Sequence, residues 1–135
     1  MMKLYDMHFS GNCYKVRLLL SFLQLPYQLL PVNLLAREQK SDSYLKINEL
    51  GQVPALEDQG RHIRDSQAIL VYLARQYDNS NAWLPVDAFE QALVSQWLST
   101  ASNEIANGLA AALVFHIFKR QEINIELVSA RAHHI

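Results

Sequence analysis

The chain has 135 residues, half of them hydrophobic, which is enough for one hydrophobic core or for one domain plus part of another. Its formal net charge of −1 gives no reason to expect a nucleic acid or an anionic membrane as partner. The single cysteine cannot form an internal disulfide, and we find neither a secretion signal nor a membrane-spanning run. We therefore expect a cytoplasmic protein. The five histidines lack metal-binding spacing, so we expect no metal site.

The first part of the sequence predicts a β-α-β unit. Residues 3–7 read as one strand and residues 27–30 as another. Between them, residues 13–24 carry apolar side chains at helical spacing, and Pro26 stops the helix. Two strands joined by a helix are expected to be parallel, with a right-handed crossover.

The next part predicts a helix, a hairpin and a further helix. Residues 37–47 are polar and irregular, which favours a short or distorted helix, and residues 48–54 read as a loop. Residues 58–60 read as the tight turn of a β-hairpin. Ser66 is a natural N-cap for the helix that follows it.

The composition changes near residue 80. Residues 79–86 are rich in Asn and Ser and include a proline, which is typical of a linker. This predicts a β-α-β-α-β-β-α domain at residues 1–78 and a helical region at residues 87–135. Within that region, residues 87–118 read as one long helix, and Gly108 predicts a kink or a close contact.

The stretch HFSGNCYK, residues 8–15, joins the first strand to the first helix and contains two candidate reactive groups. Ser10 lies just before the positive end of that helix, which favours an anion such as a thiolate beside it. Cys13 shares its helix face with Val16 and Leu20, so its thiol is expected to point into the core. From these residues alone, the hydroxyl, the thiol or neither could carry out chemistry.

Gln52, Val53 and Pro54 form a second stretch of interest. If the Val53–Pro54 bond is cis, the backbone of Val53 points outward and can pair with a peptide-like ligand as an added strand. The alternative is an ordinary trans proline in a loop.

Asp65 and Ser66 form a third stretch of interest. A helix N-terminus can bind a carboxylate, and the carboxylate of Asp65 could hold an ammonium group. Together they would suit an α-amino-acid head group. The alternative is simple helix capping.

Three segments in this order, SGNCYKVRLLLSF, GQVPALED and RDSQAILVYLA, resemble the thioredoxin-like domain of cytosolic glutathione S-transferases. The resemblance is closest to bacterial members of the serine type. It implies an α/β fold, with a thioredoxin-like N-terminal domain followed by an incomplete all-α domain. Members of this family normally carry several more helices, so the resemblance also implies a C-terminally truncated chain.

The resemblance assigns roles to individual residues. Ser10 would be the catalytic residue and would donate a hydrogen bond to the glutathione sulfur. The residues that would bind glutathione are Gln39, Lys40, Gln52, Val53, Pro54, Asp65 and Ser66. The phase of the long helix suggests three residues for the second substrate, namely Asn103, Asn107 and Phe115.

The implied activity is conjugation of the glutathione thiolate to an electrophilic small molecule. Glutathione would be a co-substrate, with no separate cofactor, and the family habit suggests a homodimer. One alternative is a glutathione-dependent thiol-disulfide or peroxide reductase. Another is a non-catalytic glutathione-binding or interaction module on the same fold.

Overall fold

A computed structural model describes residues 1–118 and 124–132, with side chains described at residues 1–116 and 124–132. The chain divides into two compact units, Met1–Leu84 and a second unit that begins at Pro85. The elements of the first unit are β1 (Met2–Asp6), α1 (Gly11–Phe22), β2 (Tyr27–Pro31), a 3₁₀ turn (Glu38–Lys40), α2 (Asp42–Leu45), β3 (Ala55–Asp58), β4 (Arg61–Arg64) and α3 (Ser66–Tyr77). This order matches the predicted thioredoxin-like β-α-β-α-β-β-α arrangement.

The four strands form one mixed sheet in the order β2-β1-β3-β4. Strands β1 and β2 are parallel, as predicted, and β3 is antiparallel to both β1 and β4. Gln59 and Gly60 connect β3 to β4, and both have positive φ, 49° and 75°. Two positive-φ residues at a two-residue turn match the right-handed twist of a β-hairpin, so the predicted hairpin is confirmed.

The core of the first unit lies between the sheet and helices α1 and α3. Alternate residues of β1 and β3 meet apolar side chains that recur every three or four residues along the two helices. The buried cluster consists of Met2, Leu4, Val16, Leu19, Leu20, Leu56, Ile69 and Leu73. On the other side of β1, the ring of Tyr5 contacts the ring of Tyr44 edge-on, with 5.8 Å between centroids.

Helix α1 begins and ends earlier than the sequence predicts. Ser10 is its N-cap, and its hydroxyl oxygen accepts a hydrogen bond from the Cys13 N–H at 3.3 Å. The helix ends at Phe22, and Gln24 then has a φ of 53°. The backbone has therefore left the helix before it reaches Pro26, so the predicted range of 13–24 is shifted by about two residues.

The polar segment 37–47 folds as predicted, into short and irregular helical pieces. The 3₁₀ turn and α2 are separated by Ser41, whose hydroxyl oxygen caps α2 by accepting from the Tyr44 N–H at 3.3 Å. Tyr44 is buried and anchors the segment against the sheet.

The second unit is helical. Its elements are α4 (Ala88–Thr100), a stretch with π-type hydrogen bonding (Ala101–Ala110), α5 (Ala111–Phe118) and α6 (Ile125–Ala132). The predicted long helix is therefore helical throughout residues 88–118, but its hydrogen-bond pattern changes near the middle. Gly108 lies in the π stretch, where it is buried, and α6 packs against that stretch. Within the described ranges, no helix combines the length and apolar character that crossing a bilayer requires.

A buried carboxylate ties the hairpin to α3. Asp58, at the end of β3, is 6% exposed and accepts hydrogen bonds from the hydroxyls of Tyr72 at 2.7 Å and Tyr77 at 2.5 Å. Burial, and then the bond to Asp58, raises the pKa of Tyr72 to about 12. The hydrogen bond to Asp58 is the main cause that raises the pKa of Tyr77. Both hydroxyls therefore stay protonated donors at neutral pH.

We expect Tyr72→Phe and Tyr77→Phe each to lower the free energy of unfolding by about 1 kcal/mol, because each removes one donor from Asp58. Asp58→Ala should cost more, about 2–3 kcal/mol, since two buried hydroxyls then lose their acceptor. Urea denaturation measures these losses. Tyr14→Phe is the control, because Tyr14 is 57% exposed. Equal losses in Tyr14→Phe and Tyr72→Phe would contradict the assignment.

Candidate glutathione site

A polar cleft lies in the first unit, where four segments of the chain meet. It is lined by the first turn of α1, the loop at residues 48–54, the end of β4 and the start of α3. The lining residues are Asn12, Asn48, Leu50, Gln52, Val53, Pro54, Arg64, Asp65 and Ser66. Five residues that the sequence singles out are thus brought together here, namely Gln52, Val53, Pro54, Asp65 and Ser66.

The loop that carries Val53 is fixed through the carbonyl oxygen of Gln52. This oxygen accepts two hydrogen bonds, from the Tyr44 hydroxyl at 2.8 Å and from the Asn48 amide at 2.8 Å. Asn48 is 3% exposed, and its amide oxygen also accepts from the Leu50 N–H at 3.1 Å. The Gln52 carbonyl is thereby held on the inner side of the loop, while the Gln52 side chain is exposed at the cleft.

The Val53–Pro54 peptide bond is cis, which is the alternative that an added-strand site needs. Pro54 is buried and leads directly into β3, and Val53 is half-buried at the cleft. Among the residues that the structure describes, no group pairs with the Val53 N–H. An extended peptide could therefore pair with the backbone here.

The start of α3 differs from the prediction in one respect. Its N-cap is Asp65 and not Ser66, because the Asp65 carboxylate accepts from the Gln67 N–H at 2.9 Å and the Ala68 N–H at 3.0 Å. Asp65 leaves β4 with a φ of 72°, and Ser66 is the first helical residue. Ser66 is buried, and its hydroxyl donates to the amide oxygen of Gln67 at 2.7 Å.

The HFSGNCYK stretch places its two candidate groups differently. Cys13 is fully buried, as predicted, and its sulfur accepts from the Met7 N–H at 3.4 Å. Burial raises the pKa of the Cys13 thiol, which makes this sulfur a poor nucleophile. Ser10 is half-buried at the helix start but does not line the cleft itself. Asn12, two residues later, does.

Gln39 and Lys40 do not line the cleft either, but they lie against its loop. The Lys40 ammonium donates to the Leu50 carbonyl at 2.8 Å. A Cβ on Gly51 would come within 2.5 Å of the Gln39 carbonyl oxygen. The amide oxygen of Gln39 is buried and has no hydrogen-bond partner within the described ranges. Both residues therefore support the loop from outside, and their role in binding stays a prediction.

Four lining residues were not singled out from the sequence: Asn12, Asn48, Leu50 and Arg64. An asparagine after Ser-Gly and an asparagine before Glu-Leu-Gly both read as ordinary turn residues, so only the tertiary structure gives them a role. The Arg64 guanidinium forms an exposed ion pair with the Glu49 carboxylate, with 3.6 Å between nitrogen and oxygen. Lys15 is a further charged residue near the site. Burial lowers its pKa, and the charge of Asp65 opposes that shift.

The three residues suggested for a second substrate lie in the second unit. Asn103 and Asn107 belong to the π stretch and are exposed, and Phe115 of α5 is half-buried. The Asn103 amide donates to the Ser99 carbonyl at 2.9 Å, within the same helical run. Their assignment to an acceptor site stays a prediction. In the described part of the chain, no three His, Cys, Asp or Glu side chains group as a metal site would require.

The geometry of the cleft suits a short peptide with a free amino-acid head group. Val53 offers a backbone N–H, the start of α3 offers a helix N-terminus, and Asp65 offers a negative charge beside it. The positive end of α1 begins at Ser10, in the same unit. These are the contacts that a peptide with an ammonium, a carboxylate and an ionisable thiol could use.

The chain is similar in sequence and in structure to known proteins. Residues 4–81 match the family model "Glutathione S-transferase, N-terminal domain". The chain is 40% identical over 104 residues to a zeta-class glutathione S-transferase of Euphorbia esula, covering 77% of this chain and 46% of that protein. It is 31% identical over 110 residues to glutathione S-transferase theta-3 of Mus musculus, covering 78% and 46%.

A solved structure of a glutathione transferase homolog from Drosophila mojavensis, with bound glutathione, is also similar. It shares 35% identity with a TM-score of 0.87, over 98% of this chain and 62% of that one. The chain therefore spans about half the length of the curated relatives that it matches, and less than two thirds of this neighbour.

Gly51 gives a test of how tightly the cleft loop packs. Its φ is +57°, so Gly51→Ala should lower the free energy of unfolding by about 1–2 kcal/mol through backbone strain alone. The clash with the Gln39 carbonyl should add to that loss. Gly11→Ala is the matched control, because nothing lies within 4 Å of its added Cβ. Inside α1 it should instead stabilise the chain, by up to about 1 kcal/mol. Thermal or urea denaturation measures both changes. If both variants changed the free energy of unfolding in the same direction, this account of the loop packing would be wrong.

Proposed function

This chain belongs to the glutathione S-transferase family, and we propose that it supplies the glutathione site of an enzyme that conjugates glutathione to an electrophilic small molecule. The observation that carries the proposal is the cleft, whose lining includes both Val53, with a backbone N–H that no described residue pairs with, and Asp65 at the start of α3. Glutathione presents a matching set of groups along one extended chain.

The γ-glutamyl head group would lie at the start of α3. Its carboxylate would meet the helix N-terminus and the Ser66 hydroxyl, and its ammonium would meet Asp65. The cysteinyl backbone would pair with Val53 in the manner of an added strand. Gln52 would contact the glutathione backbone from the exposed side of the loop. Gln39 and Lys40 would lie toward the glycine end.

Ser10 would favour the thiolate form of the bound glutathione. Its oxygen already accepts from Cys13, so its hydroxyl proton is available to donate to the sulfur. An ordinary cysteine thiol has a pKa near 8.5, and lowering it by about two units requires about 2.7 kcal/mol of differential stabilisation. One charge-assisted hydrogen bond, of about 1.5–3 kcal/mol, plus a helix end can supply that amount. No histidine base is needed.

The buried thiol favours conjugation over the alternative of thiol-disulfide exchange. A protein reductase that used Cys13 would need an accessible thiolate, and this thiol is fully buried with a raised pKa. We assign the chain to the serine type because Ser10 caps α1 where the attacking sulfur would lie. We further propose that the whole protein is a cytoplasmic homodimer, with Asn103, Asn107 and Phe115 near its second substrate.

Calorimetric titration of the purified chain with glutathione tests the proposal. We expect saturable binding to one site per chain, and a thiol pKa for the bound glutathione below its value in water. Ophthalmate-type peptides, which lack the sulfur, should still bind, because the head group and the backbone contacts remain. If glutathione did not bind at millimolar concentration, the proposed function would fail.

Ser10→Ala should raise the pKa of the bound thiol and slow conjugation by about ten- to a thousand-fold, which is the range for one lost donor. It also removes a helix cap, which costs about 1 kcal/mol of stability. Ser41→Ala is therefore the matched control, because Ser41 makes the same 3.3 Å cap bond at α2. Cys13→Ala should change the thiol pKa much less than Ser10→Ala does, because it keeps both the Ser10 hydroxyl and the backbone N–H that this hydroxyl caps. Conjugation at wild-type rate in Ser10→Ala would contradict the role of this hydroxyl.

Asp65→Asn separates the charge of Asp65 from its capping role. Asparagine caps helices about as well as aspartate, so the free energy of unfolding should change by less than about 0.5 kcal/mol. The affinity for glutathione should fall about tenfold, because the ammonium loses its counter-charge. A glutathione analogue without the amino group should bind both proteins equally. If Asp65→Asn weakened binding of this analogue as much as it weakened binding of glutathione, the proposed contact between Asp65 and the ammonium group would be wrong.

A further inference from the structure

The side chain of Arg17 joins the end of a strand to the loop that carries Ser10. One guanidinium nitrogen forms an ion pair with the Asp6 carboxylate at the end of β1. The other nitrogen donates to the carbonyl oxygen of His8 at 3.0 Å. Asp6 is 3% exposed and the Arg17 side chain 18%, so the ion pair is largely shielded from water, whereas the bond to His8 lies at the surface. The two contacts therefore fix His8 relative to the sheet.

The strand end to which Arg17 is attached is itself rigid. The Asp6 carbonyl accepts from the Val32 N–H at 2.7 Å, and β1 is paired on both sides, with β2 and β3. Asp6 is also the last residue of the parallel ladder with β2. The Arg17 guanidinium therefore holds the loop at residues 7–10 in a fixed position relative to strand β1.

The remaining bonds of the loop carry this position on to Ser10. The Ser10 N–H donates to the Met7 carbonyl at 2.9 Å, and the Met7 N–H donates to the buried sulfur of Cys13. Between these two residues, Arg17 holds the His8 carbonyl. The loop is thus restrained at Met7, at His8 and at Ser10, and the restraint at His8 is the one that comes from a charged side chain.

We infer that Arg17 is a positioning residue for Ser10, because its two-pronged contact with Asp6 and His8 fixes the loop from which the Ser10 hydroxyl would reach the glutathione sulfur. The inference rests on the proposed function, and it adds a residue that does not line the cleft. A planar guanidinium can hold two acceptors in fixed directions at once, whereas a lysine ammonium offers a single point charge.

The charge of Arg17 alone is not the basis of this role. The Asp6 carboxylate in direct contact with it cancels most of its field at the loop. Removing the positive charge while keeping the loop in place should therefore change the thiolate little. Moving the loop should change it more, since a hydrogen bond weakens steeply with distance and angle.

The test uses three variants: Arg17→Lys, Arg17→Gln and the double variant Asp6→Asn/Arg17→Gln. Arg17→Gln alone leaves the buried Asp6 carboxylate without its ion-pair partner and could fail to fold for that reason. The double variant removes that carboxylate charge as well. Arg61→Gln is the control, because it removes an exposed arginine of β4. The ultraviolet absorbance of the bound glutathione thiolate is followed against pH. S-methylglutathione, which has no thiol, reports binding of the rest of the peptide by calorimetry.

We expect the bound thiol pKa to rise by about one unit in all three variants, from about 6.5 to about 7.5, which lowers the thiolate fraction at pH 7 about threefold. Affinity for S-methylglutathione should stay within about a factor of two. An unchanged thiol pKa in Arg17→Gln, or in the double variant, would overturn the inference. A wild-type thiol pKa in Arg17→Lys would also overturn it, because charge alone would then suffice. A normal thiol pKa in the unmodified chain would refute the proposed function itself.

Discussion

The carbonyl oxygen of Gln52 is the point on which the cleft depends. Two donors from different parts of the chain, the Tyr44 hydroxyl and the Asn48 amide, hold it on the inner side of its loop. Tyr44 in turn packs edge-on against Tyr5 of the central strand. The contact between the rings of Tyr5 and Tyr44, together with the two hydrogen bonds, therefore holds the loop against the sheet. This explains how a segment without regular secondary structure can present the backbone of Val53 in one defined place.

Asp65 illustrates how one side chain can serve both the fold and the proposed binding site. One carboxylate oxygen caps α3 by accepting from two backbone N–H groups, which is sufficient reason for an aspartate at this position. The same group supplies the negative charge at the head of the cleft. The two uses are compatible because a carboxylate has several lone-pair sites, and the cap occupies only two of them. A capping role is therefore no argument against a binding role.

Much of the fold could be predicted from apolar spacing and turn residues. The periodicity of Val16, Leu19 and Leu20 identified the buried face of α1, and Gln59-Gly60 identified the hairpin. The local sequence left the Val53–Pro54 bond open between cis and trans, and the structure shows it to be cis.

Other features depend on contacts between distant residues. Asp65 and not Ser66 is the cap, because Ser66 is already helical while Asp65 keeps a non-helical backbone with a φ of 72°, a detail that adjacent residue types do not encode. Asn48 reads as a turn residue until Gln52 is placed beside it. The roles of Tyr72 and Tyr77 likewise require the hairpin that brings Asp58 to α3. The π stretch near Gly108 lies in a segment whose apolar pattern favours an ordinary helix, so its hydrogen bonding could not be predicted from the sequence.

The burial of the Cys13 sulfur affects how such a site would behave under oxidising conditions. A cleft that concentrates a thiolate ligand next to an exposed protein thiol would be blocked whenever a mixed disulfide formed between them. Here the chain's single cysteine is fully buried and accepts a backbone hydrogen bond, so it offers no sulfur for such an adduct and little for peroxide to attack. Glutathione bound in this cleft would therefore not be trapped as a mixed disulfide with Cys13.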